Sequence, residues 1–238
     1  MRGAIKAALV ILGFLSASTA NAQAFQCRMP SVTNAPKVEQ NGQTRRLPVT
    51  GYTLALSWSP EFCKPREGQR AHRLQCSGQN GRFGFTVHGL WPNSGKSWPQ
   101  WCGGVGARTP LTGAQIARNL CMMPSARLAA RQWAKHGSCM VPRAETYFEV
   151  TRILYGSLRF PDFDRLSRKP GLNAGDLREW FLAANSGWRR DAIGVKVNQR
   201  GWLTELRLCY NKRFRPAQCD RGRFGPADDA AIKIWRGL

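Results

Sequence analysis

Phe85-Thr86-Val87-His88-Gly89-Leu90-Trp91-Pro92 is the stretch whose reading decides the fold. With Phe83 and Gly84 before it, residues 83–87 have the aromatic and β-branched alternation of a short strand. That strand delivers His88 at its end, beside Gly89, where a tight turn exposes a side chain to a cleft. Upstream, residues 50–58 (Thr-Gly-Tyr-Thr-Leu-Ala-Leu-Ser-Trp) alternate in the same way and predict a partner strand. Residues 59–82 are rich in Pro, Gly and charge, hold Cys63 and Cys76, and read as a stapled loop. Residues 92–112, with Trp98, Trp101 and Cys102, read as a long loop of the kind that carries function in compact domains.

Downstream the periodicity becomes helical. Thr112–Leu120 is a weak helix candidate. Ser125 is placed to cap a helix over residues 126–135, whose residues are good helix formers, and Gly137 to end it. Residues 145–158 and 174–185 carry apolar residues at helical spacing, and 191–198 and 201–210 return to strand alternation. Segregated strands and central helices predict an α+β fold, a central antiparallel sheet with packed helices.

The N-terminus reads as a targeting signal. Arg2 and Lys6 precede a short apolar run from Ala7 to Leu15, and Ala20-Asn21-Ala22 fits a small-x-small cleavage pattern. The run is too short to span a bilayer. Residues 1–22 are therefore expected to be a signal peptide, residues 23–48 a polar arm and residues 49–238 one domain of a secreted or periplasmic, monomeric protein. No later segment reads as a membrane span. Eight cysteines, all after the signal, fit four disulfides in an oxidising compartment. Short spacing pairs Cys63 with Cys76 and Cys209 with Cys219. Zinc is disfavoured: no Cys-x-x-Cys occurs, and the three histidines are not at ligand spacing. Gly103-Gly104-Val105-Gly106 follows no clear strand and opens no clear helix, so it is no nucleotide loop.

The net charge of +22, reduced by two when Arg2 and Lys6 are removed, points to a polyanionic partner without choosing among nucleic acid, envelope and polysaccharide. The histidines narrow the choice. Metal-free RNA cleavage needs a base for the 2′-hydroxyl, an acid for the departing 5′-oxygen, and cations to steady the phosphoryl group. Histidine suits both proton roles. His88 follows a strand; His136 ends a helix, one turn after Gln132 and beside Lys135. Alone, each has an ordinary structural explanation, as a strand cap or as a helix-end residue favoured by the dipole.

The surrounding words outweigh that explanation. Phe85-Thr86-Val87-His88-Gly89-Leu90-Trp91-Pro92 and Trp133-Ala134-Lys135-His136-Gly137-Ser138-Cys139 resemble, in order, the two active-site segments of the ribonuclease T2 family, and the strand at 52–58 resembles its early core strand. The resemblance spans roughly residues 50–215. It implies a disulfide-stapled T2 fold and cleavage of single-stranded RNA, without metal or cofactor, through a 2′,3′-cyclic phosphate to 3′-phosphate ends. It assigns His88 as general acid, His136 as general base and Lys135 as phosphoryl stabiliser, with Trp91 stacking on the base 5′ to the cut. The residues by themselves do not fix which histidine is the acid. The need for a 2′-hydroxyl makes DNA a non-substrate. The resemblance also pairs Cys102 with Cys139, which leaves Cys27 for Cys121 by elimination.

One position departs from the family. Where it carries His-Glu-Trp before Lys-His-Gly, this chain has Arg131, Gln132 and Trp133. Gln132 can donate a hydrogen bond but carries no transferable proton; Arg131 adds fixed charge that offsets part of the loss, and Arg131 and Trp133 are expected at the substrate. A slower enzyme follows. The alternatives are an exported RNA-binding protein of the same fold with little catalysis, and a cationic envelope- or polysaccharide-binding module. Residues 207–223 interleave Arg207, Lys212, Arg213, Arg215, Arg221 and Arg223 with Tyr210 and Phe214, and Phe224 follows. They suit either an RNA track or a basic loop over core aromatics.

Overall fold

The computed structural model describes residues 26–95, 97–103 and 111–237; the expected signal peptide and Gly104-Val105-Gly106 lie outside them. Four strands form one antiparallel sheet in the order β2-β1-β4-β3: β1 Gly51–Trp58, β2 Phe85–Asn93, β3 Ile193–Val197 and β4 Leu203–Asn211. The helices are α1 Ser59–Cys63, α2 Arg73–Cys76, α3 Gly113–Ala117, α4 Ala126–Lys135, α5 Ala144–Gly156, α6 Phe163–Leu166, α7 Ala174–Ala184 and α8 Arg221–Phe224. The expected α+β architecture is present. Residues 59–82 are a correction: they hold α1, α2 and two 3-10 turns rather than open loop, closed by Cys63–Cys76.

A second correction concerns the strand that carries His88. It does not end at Val87 but runs on through Asn93, and His88 sits in its interior. Opposite it, β1 pairs Leu56 with Val87 and then Ala55 with Gly89, so His88 is an extra residue, a β-bulge. A regular strand alternates faces, and residues 88 and 91, three apart, would point to opposite sides. The bulge resets the phase. Phe85, Val87 and Leu90 all face the core, while His88, Trp91 and Asn93 share the other face.

Helix α5 holds β2 from the core side. The Tyr155 hydroxyl donates to the Phe85 carbonyl (2.6 Å), and the Tyr147 hydroxyl accepts the Leu90 amide and donates to its carbonyl. Helix α4 has the expected bounds; the Ser125 side chain caps it by accepting the Leu128 amide (3.2 Å). It abuts the edge strand β2 at Gly89, where the Gln132 side chain and the Trp91 indole occupy the space a Cβ would need.

All four expected disulfides are present, including Cys102–Cys139 and Cys27–Cys121. Residues 26–48 contain no helix or strand. The arm is nonetheless pinned, by Cys27–Cys121 and by an exchange of backbone hydrogen bonds between Arg45 and Gln100. Among the described residues no helix is long and apolar enough to cross a membrane.

Arg178 on α7 is fully buried. Its guanidinium pairs with Asp228, donates to the carbonyls of Ile193, Phe224 and Pro226, and lies 3.7 Å from the Phe224 ring centroid. It thereby clasps α8 and the following turn against β3. Asp228 is partly exposed and can rehydrate, but removing the buried guanidinium strands the carbonyls of Ile193, Phe224 and Pro226, so Arg178→Met is expected to lower the unfolding free energy by about 3 kcal/mol. Urea titration measures this; a loss below about 1 kcal/mol would remove the clasp from the structural account.

Candidate active site

His88, Trp91, Arg131, Gln132, Lys135 and His136, six of the seven expected site residues, line one cleft of about 540 Å3. Trp133 does not. It is a correction: the side chain is 5% exposed and packs in the core near Tyr147, because one residue past Gln132 the helix has turned about 100° away from the cleft. Of the two readings of 207–223, the aromatics fit the basic loop over core aromatics, stapled by Cys209–Cys219. Arg207 and Arg223 reach the cleft, whereas Tyr210 is buried, Phe214 stacks on Tyr52 and Phe224 lies against Arg178.

Trp91 stands between the histidines, its ring centroid 5.1 Å from that of His88 and 5.8 Å from that of His136. Its indole N–H donates to Gln132 Oε1 (2.8 Å). An indole can only donate, so this bond fixes the amide orientation and leaves the Gln132 NH2 as its free donor.

The two histidines occupy opposite electrostatic settings. Behind His88 stands Glu205, whose Oε1 lies 2.7 Å from Nδ1. Strand β4 pairs with β1 at Ser57–Glu205 and Ala55–Arg207, so His88 and Glu205 meet across β1 over two small side chains. The other Glu205 oxygen accepts from Arg207 Nε (2.8 Å). Burial would raise the Glu205 pKa, but the hydrogen bonds and charges of His88 and Arg207 hold it below the ordinary carboxylate value. An ionised carboxylate only accepts, so Nδ1 of His88 carries the hydrogen and Nε2 is the nitrogen left free of that bond. Glu205 escaped the sequence reading because its strand looks like any half-buried one. The available signal was an acidic residue set between leucines in a chain with 36 basic and 14 acidic residues.

His136 has no carboxylate. Its Nδ1 is buried without a partner, and its pKa is lowered to about 3, by burial first and then by Lys135, His88, Arg131 and Arg45. It is a neutral imidazole at any physiological pH. Lys135 is itself lowered, by burial and by Arg131 and Arg45. The loop after β2 is tied to this end of α4 by Cys102–Cys139 and by the Trp101 amide donating to the Lys135 carbonyl (2.8 Å). Trp98, 42% exposed, stands at the cleft under Arg45, 4.4 Å from its ring centroid, and Asn41 accepts from Arg131. His88 and Glu205 also border a second cavity, of about 660 Å3, whose far wall carries Lys64, Lys196 and Arg200.

A bulged edge strand brings two histidines together in a cationic cleft of an antiparallel, disulfide-tied α+β fold, and comparison with known proteins gives the family. The family profile described as "Ribonuclease T2 family" matches residues 50–163. A ribonuclease of Aeromonas hydrophila is 40% identical over 170 residues, covering 68% of this chain and 71% of the relative. A probable ribonuclease of Haemophilus influenzae is 32% identical over 189 residues, covering 75% of this chain; the chain spans 64% of that relative's length. The solved structure of trichomaglin, described as an S-like ribonuclease, aligns with a TM-score of 0.60 at 22% identity over 78% of this chain and 97% of its own. The chain belongs to the ribonuclease T2 family.

The neutral His136 has a measurable consequence. Its folded pKa lies below the unfolded value near 6.5, so the unfolded chain binds more protons between pH 6.5 and 3. Stability is complete above pH 6.5 and falls as pH drops through that window, on the order of 3 kcal/mol by pH 4. Glu205, with its lowered pKa, acts in the same direction at the acid end. His136→Asn is expected to lose correspondingly less stability between pH 7 and pH 4 in urea titrations. Equal losses in both proteins would show that another group carries the pH dependence.

Proposed function

We propose that this protein is a T2-type endoribonuclease that cleaves single-stranded RNA by transphosphorylation, with His136 as the base and His88 as the acid. The observation that carries the reading is the asymmetry of the two rings: a buried neutral imidazole hemmed in by cations, facing an imidazole backed by a carboxylate. A neutral ring can accept the 2′-hydroxyl proton. A ring whose Nδ1–H is held by a carboxylate turns Nε2 toward the departing 5′-oxygen.

Trp91 takes the base 5′ to the cut, and the second cavity takes the nucleotide on the 3′ side, which puts the scissile phosphate at His88 between them. His136 removes the 2′-hydroxyl proton and the 2′-oxygen attacks phosphorus. The bond to the 5′-oxygen breaks, and His88 Nε2 protonates that oxygen. The product is a 2′,3′-cyclic phosphate and a free 5′-hydroxyl. Water then opens the ring with the proton roles reversed, giving a 3′-phosphate. Lys135, Arg131, Arg207 and Arg223 meet the negative charge that builds on the phosphoryl oxygens, and the Gln132 NH2 adds a neutral donor. The reaction uses no metal or cofactor, and DNA lacks the attacking oxygen. Four disulfides and the sequence of residues 1–22 support export to an oxidising compartment, secreted or periplasmic.

Gln132 is the specific observation that favours a second reading, an RNA-binding relative with little catalysis. An RNA digest in EDTA separates the two. Wild type is expected to release cyclic-phosphate ends, and His88→Ala to lose at least about 100-fold in rate. Absence of cleavage by oxidised wild type rejects the enzyme; persistent cleavage by the variant rejects the role of His88.

Two substitutions examine the groups around the rings. Gln132→Glu keeps an acceptor for the Trp91 indole and restores a carboxyl, so kcat should rise by at least about tenfold; no gain means that the amide is no handicap. Glu205→Gln should lower kcat by about 100-fold with little change in KM, since the wrong tautomer of His88 is then tolerated. A pure KM effect would make Glu205 a binding residue instead.

A further inference from the structure

The C-terminal segment Ala231-Ile232-Lys233-Ile234-Trp235 alternates. Ile232 and Ile234 are buried in the core, so Lys233 and Trp235 share the outward face. Backbone bonds fix the segment: the Leu203 amide donates to the Lys233 carbonyl (2.7 Å), the Lys233 amide to the Gly201 carbonyl (2.8 Å), and the Trp58 indole to the Trp235 carbonyl (2.6 Å). It runs parallel to Trp202 at the Trp202–Lys233 bridge, which sets the Trp202 and Trp235 rings edge to face with centroids 6.1 Å apart. Both rings are partly exposed, and neither indole N–H has a hydrogen-bond partner among the described residues. The side chains of Lys233 and Trp235 are therefore not what anchors the segment.

Cations surround these rings. The Lys64 ammonium lies 3.9 Å from the Trp235 centroid and 5.1 Å from that of Trp202, and the Lys233 ammonium lies 5.2 Å from Trp202. Lys64 also stands on the wall of the second cavity, with Lys196 and Arg200, and on its other side borders a hollow with Trp235 and Arg236. Positive charge thus leads from the cavity beside His88 to the two tryptophans. Charge alone would suit any polyanion. Charge combined with ring faces and free indole donors suits a single strand of nucleic acid, whose phosphates follow the cations and whose bases stack.

We propose that Trp202, Trp235 and Lys233 form a binding platform for the RNA strand 3′ to the cleavage site, beyond the nucleotide held in the second cavity. The inference rests on the proposed ribonuclease reading for the direction of the strand. It makes substrate length matter: a dinucleotide ends before the platform, and an oligonucleotide extended on its 3′ side reaches it.

The test uses the full-length oxidised protein, a dinucleotide, and two oligonucleotides of equal length, one extended 3′ and one extended 5′ of the cut. Trp202→Ala, Trp235→Ala and Lys233→Glu should each lower kcat/KM for the 3′-extended substrate by roughly tenfold. They should leave the dinucleotide and the 5′-extended substrate unchanged, and Trp235→Phe, which keeps a ring, should recover most of the loss. In parallel, fluorescence anisotropy reads the affinity for 2′-O-methyl versions of both oligonucleotides, which cannot be cleaved, and for heparin. If wild type cleaves no RNA, the ribonuclease reading fails, and selective loss of affinity for the 3′-extended 2′-O-methyl strand still supports the platform. Equal losses on dinucleotide and both extensions, equal loss of heparin and RNA affinity on removing a ring, or no loss anywhere would each overturn it.

Discussion

The bulge at His88 governs the layout of the site. A strand buried on one face offers residues of one parity to the core and of the other parity to the far side. This strand must supply Phe85, Val87 and Leu90 to the core and His88, Trp91 and Asn93 to the cleft, which no regular alternation allows. One inserted residue resolves the conflict, and the surrounding packing holds it in register. Tyr155 and Tyr147 grip the strand on either side of the bulge from α5, and Gly89 lets α4 press against its edge. Without the phase change, the imidazole and the indole could not share a face.

The sheet supplies electrostatic order as well as shape. Arg207 and Glu205 are two residues apart on β4 and so share the cleft face; Glu205 uses one oxygen for Arg207 and the other for His88. That arrangement sets the tautomer of His88 from behind. Helix α4 brings the opposite environment: its C-terminal end carries Lys135 and His136 under Arg131 and Arg45, where burial and positive charge keep the second imidazole neutral. Two histidines of identical chemistry thus become unequal through their neighbours. The disulfide Cys102–Cys139 closes the loop that carries Trp98 and Trp101 onto the same helix end, so the cleft is walled by covalently fixed segments.

Local features were readable in the chain wherever they depend on near neighbours. The Ser125 cap, the good helix formers of 126–135 and the i, i+4 spacing of Gln132 and His136 fixed α4 and its active face, and the two short disulfides follow from proximity along the chain. The same helical period contradicts the expectation for Trp133: one residue from Gln132, it is turned about 100° around the axis and meets Tyr147 in the core. The helices within residues 59–82 leave no periodic trace in the sequence, because they are only four or five residues long and rely on α1 packing against α2 beside Cys63–Cys76.

The sequence by itself determined the sheet-and-helix composition and the positions of the two histidines, Lys135 and Gln132, because these are written in short words with strong local preferences. Only the tertiary structure decided the inequality of the histidines. Glu205 is 117 residues from His88, and Arg45 is 91 residues from His136; nothing in local propensity links such positions. Strand pairing across β1 brings the carboxylate to one ring, and the pinned arm brings the cation to the other. The difference between the two rings is a property of those surroundings, and surroundings exist only once the chain has folded.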